Sequence, residues 1–161
     1  MIRIPTSRNL FALVSEEDAG LARSFKWTAK PTGRKSGCFY AFSTVSGKTV
    51  YLHRLIMNPE PGLHVDHING DGLDNRRENL RVCTQSQNLA CRPHPANKFG
   101  FRGVTSWGVG SREQFRAHVG SGETRQKGPW RKTPEDAARD YDEIALRMYG
   151  EFARLNFPGE K

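Results

Sequence analysis

The sequence predicts an α+β fold: a small β-rich N-terminal lead-in, a strand-loop-strand-helix unit, and then a short antiparallel sheet packed on one helix. Three observations predict it. Runs rich in aromatic and β-branched residues punctuate residues 1–60, the pair Asp66-His67 ends a strand and runs into a loop rich in Gly, Asn and Asp, and Thr133-Pro134-Glu135-Asp136 opens a segment whose apolar residues recur at helical spacing.

In chain order, Leu10 to Val14 reads as a strand, and Ser15-Glu16-Glu17-Asp18 opens a short helix toward Phe25, with Ser15 at the N-cap and Asp18 as its capping-box partner. Two further strands are predicted at Cys38–Val45 and Lys48–Ile56, joined by a hairpin turn at Ser46-Gly47. Phe39, Tyr40, Phe42, Tyr51 and Leu52 supply the packing of this small sheet. Leu63 to His67 gives the first strand of the next unit, Leu80 to Cys83 the second, and Thr84 caps a helix carrying Asn88. The two prolines between Arg92 and Lys98 forbid a continuing helix, so the chain divides into residues 1–92 (lead-in 1–60, hairpin and helix 63–92), a linker at 93–99 and residues 100–161. In the last part, residues 100–131 suit an antiparallel sheet. The helix after it has Thr133 at the N-cap, Pro134 in the first turn, Ala137, Ala138, Tyr141, Ile144, Ala145 and Met148 on one face, and Gly150 just past its end.

With 161 residues in two domains, neither core is large, and any site rests on a modest scaffold. A net charge of +8 and a pI near 9.8 favour a polyanionic partner such as nucleic acid. The sequence holds no apolar run of membrane-spanning length, and Met1-Ile2-Arg3-Ile4-Pro5 lacks a signal-peptide core, so the expectation is a cytoplasmic monomer with no membrane partner. Cys38, Cys83 and Cys91 form no C-x-x-C pair and read as reduced thiols, neither a disulfide framework nor a zinc knuckle.

Leu63-His64-Val65-Asp66-His67-Ile68-Asn69-Gly70-Asp71-Gly72, Asn75-Arg76-Arg77-Glu78-Asn79-Leu80-Arg81 and Gln85-Ser86-Gln87-Asn88 carry the chemistry. Hydrolysis of a phosphodiester needs a base for water and a cation for the charge on phosphorus and the departing oxygen. Histidine, with an ordinary pKa near 6.5, suits the first task, and the oxygen donors of Asp66 and Asn88 suit Mg²⁺ or Mn²⁺ for the second. In residue type and spacing these stretches resemble the HNH, or ββα-metal, endonucleases, particularly the homing and free-standing enzymes of phages and introns. The resemblance implies that His67 is the general base, that Asp66 and Asn88 bind the ion, and that Asn79 ties the loop to the hairpin. Phe11-Ala12-Leu13-Val14, Phe25-Lys26-Trp27 and Leu52-His53-Arg54 resemble the family's lead-in. Asn88 stands where better-known members carry histidine, and Asp66-His67 where others carry His-His, which shifts the expected ion away from Zn²⁺. Arg76, Arg77 and Arg81 are expected to hold the DNA backbone. His53 and Arg54 either touch phosphate or support the site, while His64, His94 and His118 read as ordinary surface or core residues.

Charge is uneven in the C-terminal part. Arg102, Arg112, Arg116, Arg125, Lys127, Arg131 and Lys132 face only Glu113 and Glu123 over residues 102–132, whereas residues 133–151 are net acidic, so the sheet is expected to face DNA and the helix to face away. Phe101-Arg102-Gly103-Val104, the strand around Phe115-Arg116-Ala117-His118-Val119, Ala137-Ala138-Arg139-Asp140-Tyr141-Asp142 and Leu155-Asn156-Phe157-Pro158 resemble the APETALA-two/ethylene-response-factor DNA-binding domain. That resemblance implies a three-stranded sheet in the major groove of double-stranded DNA, with Arg102, Trp107, Arg112, Arg116 and Arg125 as contacts. Trp130, in a Gly128-Pro129-Trp130 step that departs from the family's pattern just before the helix, reads as a core residue capping that helix. The alternative function is a DNA-binding regulator with a disused nuclease fold, against which the presence of Asp66, His67, Asn79 and Asn88 together argues.

Overall fold

A computed structural model describes residues 1–32, 38–92 and 97–159, and two compact units emerge, Met1–Gln85 and Ser86–Lys161. Of the expected linker 93–99, residues 93–96 lie outside the described residues. Among the described residues, no helix is long and apolar enough to cross a membrane.

The first unit holds three small sheets. Strand β1 (Ile2–Pro5) pairs with β2 (Phe11–Val14), and α1 (Ala19–Arg23) follows. Strands β3 (Thr28–Pro31), β4 (Phe39–Val45) and β5 (Lys48–Tyr51) form an antiparallel meander. Its tight turn at Ser46-Gly47 places both residues at positive φ, 49° and 76°, which the twist of a two-residue hairpin requires. Then come α2 (Leu52–Met57), β6 (His64–His67), β7 (Asp74–Asn75) and β8 (Leu80–Cys83). β6 and β8 make the two-stranded ladder, and β7 adds in parallel to β2, with Val14 opposite Asn75. Ile4, Ala12, Val14, Ala22, Trp27, Ala41, Leu52, Ile56 and Leu80 are buried together as the core.

Two expectations fail here because tertiary contacts override the local signal. The strand expected over Lys48–Ile56 stops at Tyr51 and becomes α2, because Leu52 and Ile56, four apart, both enter the core on one helical face. Ser15 and Asp18 form no capping box. Ser15 Oγ accepts from the backbone N–H of Arg77 at 3.0 Å, and buried Asp18 takes the Arg77 guanidinium with both oxygens at 2.8 and 2.9 Å.

In the second unit, α3 (Gln85–Ala90) precedes the antiparallel sheet of β9 (Val104–Trp107), β10 (Gln114–Val119) and β11 (Gln126–Arg131), with β10 in the centre. Helix α4 (Pro134–Tyr149) starts as the sequence predicts, with Thr133 Oγ1 accepting from Asp136 N. Its Ala137, Ala138, Tyr141, Ile144 and Ala145 bury against Val104, Phe115, Ala117 and Val119, the inward residues of the strands. Asp142 Oδ1 and Oδ2 accept from the backbone N–H groups of Asn156 and Phe157, which fastens the C-terminal segment to the helix.

Candidate active site

His67 is the last residue of β6 and is 6% exposed. Its ring stacks on Tyr40 at 5.5 Å and meets the His53 ring edge to face at 5.1 Å. Nε2 lies 3.4 Å from Asn75 Oδ1, a long hydrogen bond to a residue with no exposure at all. Burial pushes the His67 pKa below the ordinary histidine value, against the Asn75 bond and the carboxylates of Asp66, Asp71 and Asp74, which pull it up. A neutral imidazole can take a proton; an imidazolium cannot.

Tyr40 comes this close because Gly72 has no side chain. A Cβ on Gly72 would lie 2.3 Å from Tyr40 Cδ1 and 2.5 Å from the Phe39 carbonyl oxygen. His53, expected to touch phosphate or support the site, sits on α2 with 8% exposure, between the rings of Tyr40, Tyr51 and His67. Burial, then the repulsion it would meet from a protonated His67 and from Arg54, holds its pKa down to about 3. With only 8% of it exposed, the ring is packed among these aromatics and shut off from a phosphate, a placement that fits support of the site.

The loop after β6 is held by Asn79. Its Nδ2 donates to the Asp74 carbonyl at 2.7 Å and to Asn69 Oδ1 at 3.0 Å, and its Oδ1 accepts from Asn69 N at 3.0 Å. Asn69 Nδ2 donates in turn to Asp74 Oδ2, and Gly70 N closes the turn onto the His67 carbonyl. Leaving the buried Asn79 amide unpaired would cost about 1–3 kcal/mol, which favours the loop path that keeps its bond to the Asp74 carbonyl.

Asp66 stands opposite Arg81, whose Nε and Nη2 donate to Asp66 Oδ2 at 3.0 and 2.9 Å. Both bonds fall on one carboxylate oxygen. Asn88 lies on α3 in the second unit, half-buried. Of the expected backbone-holding arginines, Arg76 is bound by Asp74 and Glu78, Arg77 by Asp18 and Glu17, and Arg81 by Asp66. Their charges are largely answered within the protein. Arg54 is exposed, with Nη1 on the Leu63 carbonyl at 3.0 Å.

On the second unit, the outward positions of the sheet carry Thr105, Trp107, Gln114, Arg116 and Trp130, with Gln114 opposite Trp107, and Thr105 and Trp130 on either side of Arg116. Trp107 is 70% exposed. Trp130, expected in the core, is 44% exposed, with the Arg116 guanidinium 5.3 Å from its ring centre. The reason is register. Trp130 pairs with Arg116, an outward residue of β10, and so shares its face. Arg112 and Arg125 are exposed in the turns between strands. Arg102 is turned inward, donating to the Tyr141 hydroxyl at 2.6 Å and to the Arg92 carbonyl at 2.7 Å.

Sequence reasoning missed Asn75, Tyr40 as a partner of His67, and Gly72. No local pattern separates Asn75 from Asn69 or Asn79; its burial comes from pairing with Val14.

Residues 50–90, from the end of β5 through α3, match the HNH endonuclease family. Over 155 aligned residues the chain is also 29% identical to an uncharacterized HNH endonuclease of Acanthamoeba polyphaga mimivirus, covering 92% of this chain and 76% of that protein. The likeness to that viral protein therefore reaches well past the matched segment on both sides. No solved structure matches.

Proposed function

We propose that the protein is a metal-dependent HNH endonuclease that hydrolyses phosphodiester bonds in double-stranded DNA, of the phage or homing kind. The observation that carries this reading is His67: a buried imidazole at a strand end, tied through one nitrogen to Asn75, inside the segment that matches the family. His67 takes a proton from water, the resulting hydroxide attacks phosphorus, and the P–O3′ bond breaks with its electron pair passing to the 3′ oxygen. Asn79 fixes the loop that carries the strand end.

The donors suit a hard cation. Asp66 and Asn88 offer oxygen as the ligating atom, which suits a hard cation better than zinc. Asp66 and Asn88 would hold Mg²⁺ or Mn²⁺, which supplies positive charge to the phosphate and the leaving oxygen. In this reading residues 1–92 cut, residues 100–161 hold DNA in the manner of an APETALA-two-like domain, and the protein works as a monomer. Trp107, Arg112 and Arg125 are the contacts that exposure supports best, with half-buried Arg116 beside Trp130 on the outward sheet face.

Plasmid DNA incubated with the protein tests the reading. Nicked or linear product is expected with Mg²⁺ or Mn²⁺ and none with EDTA. Intact plasmid in every metal, from a protein that still retards DNA on a gel, would reject the enzyme and favour a regulator.

A further inference from the structure

Resting on the reading of His67 as the base, we infer that Asn75 is a positioning residue that fixes the His67 tautomer, so that Nδ1 is the nitrogen that accepts the proton. Asn75 is completely buried, and its amide has two neighbours. Nδ2 donates to the Gly72 carbonyl at 3.5 Å, and a carbonyl oxygen accepts only, so this contact turns Oδ1 toward His67. Oδ1 also only accepts, so the bond to His67 Nε2 at 3.4 Å needs hydrogen on Nε2. In a neutral imidazole the other nitrogen is then bare.

The rest of the pocket holds the ring plane while Asn75 decides the hydrogen. Tyr40 lies against one face of His67, 22° from parallel, and His53 crosses it at 79°. Neither ring contact distinguishes Nδ1 from Nε2. Asn75 does, and its own place is set by the backbone, since Asn75 pairs with Val14 and Leu13 with Asp74 in the parallel ladder. A wrong tautomer would turn a hydrogen toward the water to be deprotonated, and the base would be lost without any change in the fold.

The test uses the full chain, ¹⁵N-labelled at histidine, in wild type, Asn75→Asp and Asn75→Ala. Aspartate keeps an acceptor for Nε2–H and alanine has none. In wild type the ring spectrum of neutral His67 is expected to show hydrogen on Nε2 alone. Asn75→Asp should keep that tautomer and cut DNA within about tenfold of wild type, whereas Asn75→Ala should mix tautomers and lose about 100-fold in single-turnover rate with unchanged DNA affinity in EDTA. Hydrogen on Nδ1 in wild type, loss of the Nε2–H form in Asn75→Asp, or an unaltered tautomer in a folded Asn75→Ala would overturn the inference. If Asn75→Ala does not fold, wild type and Asn75→Asp decide it. Because the spectrum needs no activity, an inactive wild type with the expected tautomer would count against the nuclease reading alone.

Discussion

His53 Nδ1 is buried and meets no hydrogen-bond partner among the described residues. Such a nitrogen costs about 1–3 kcal/mol, and protonating the ring there would cost more, which is why its pKa falls to about 3. The sign of the resulting pH dependence follows. Below pH 6.5 the unfolded chain binds a proton at His53 that the folded protein refuses until about pH 3, so stability is full above pH 6.5 and declines as pH falls through that window. His67, shifted the same way, adds to the effect. The melting temperature of the unit Met1–Gln85 should therefore drop between pH 7 and pH 5, where most carboxylates stay ionised, and His53→Phe should reduce that drop by about 5 °C. Identical slopes for the two proteins would show that His53 is not buried as described. At this scale residue type and spacing marked Asp66, His67 and Asn79 as candidates in the sequence. It left Asn75 hidden, since an Asn among Asp, Arg and Asn reads as a turn residue until β2, some sixty positions earlier, is laid beside it.

Among the elements, the loop between β6 and β7 and the strand β4 meet at one glycine. The Cβ of Gly72→Ala would overlap the Tyr40 ring and the Phe39 backbone, and neither can yield without disturbing the stack on His67. Gly72→Ala should lose at least tenfold in cleavage rate and melt several degrees lower, by the cost of overpacking at about 1–3 kcal/mol. A variant with wild-type rate would mean that the Tyr40 stack is dispensable. The hairpin of β4 and β5, the pair β6 and β8, and α4 were readable because their signals are local: a Ser-Gly turn, strand patterns, and a Thr-Pro-Glu-Asp start. Helix α2 was not, because Tyr51-Leu52 continues the strand's composition and only the shared burial of Leu52 and Ile56 turns the chain into a helix. Trp130 was misread for a similar reason. Adjacency to α4 in sequence suggested a cap, but its pairing with Arg116 in β10 put it on the outward face.

Across the whole molecule, each of the two compact units has its own buried apolar residues. The first unit carries the histidine, its tautomer partner and the tied loop; the second presents Trp107, Arg116 and Trp130 on an outward sheet face, with acidic α4 on the other side of that sheet. Both the basic composition and this charge asymmetry were plain from the sequence. The internal pairing of Arg76, Arg77 and Arg81 was not, because their acidic partners come from Asp18, Asp66 and Asp74, and only folding brings the first two alongside. Binding should accordingly survive loss of the base while cutting does not. Single-turnover cleavage of a duplex by excess His67→Ala protein with Mg²⁺, measured beside its DNA affinity in EDTA, tests this most directly. The account predicts a rate at least 100-fold below wild type with affinity unchanged; a His67→Ala protein that cuts at the wild-type rate would contradict it.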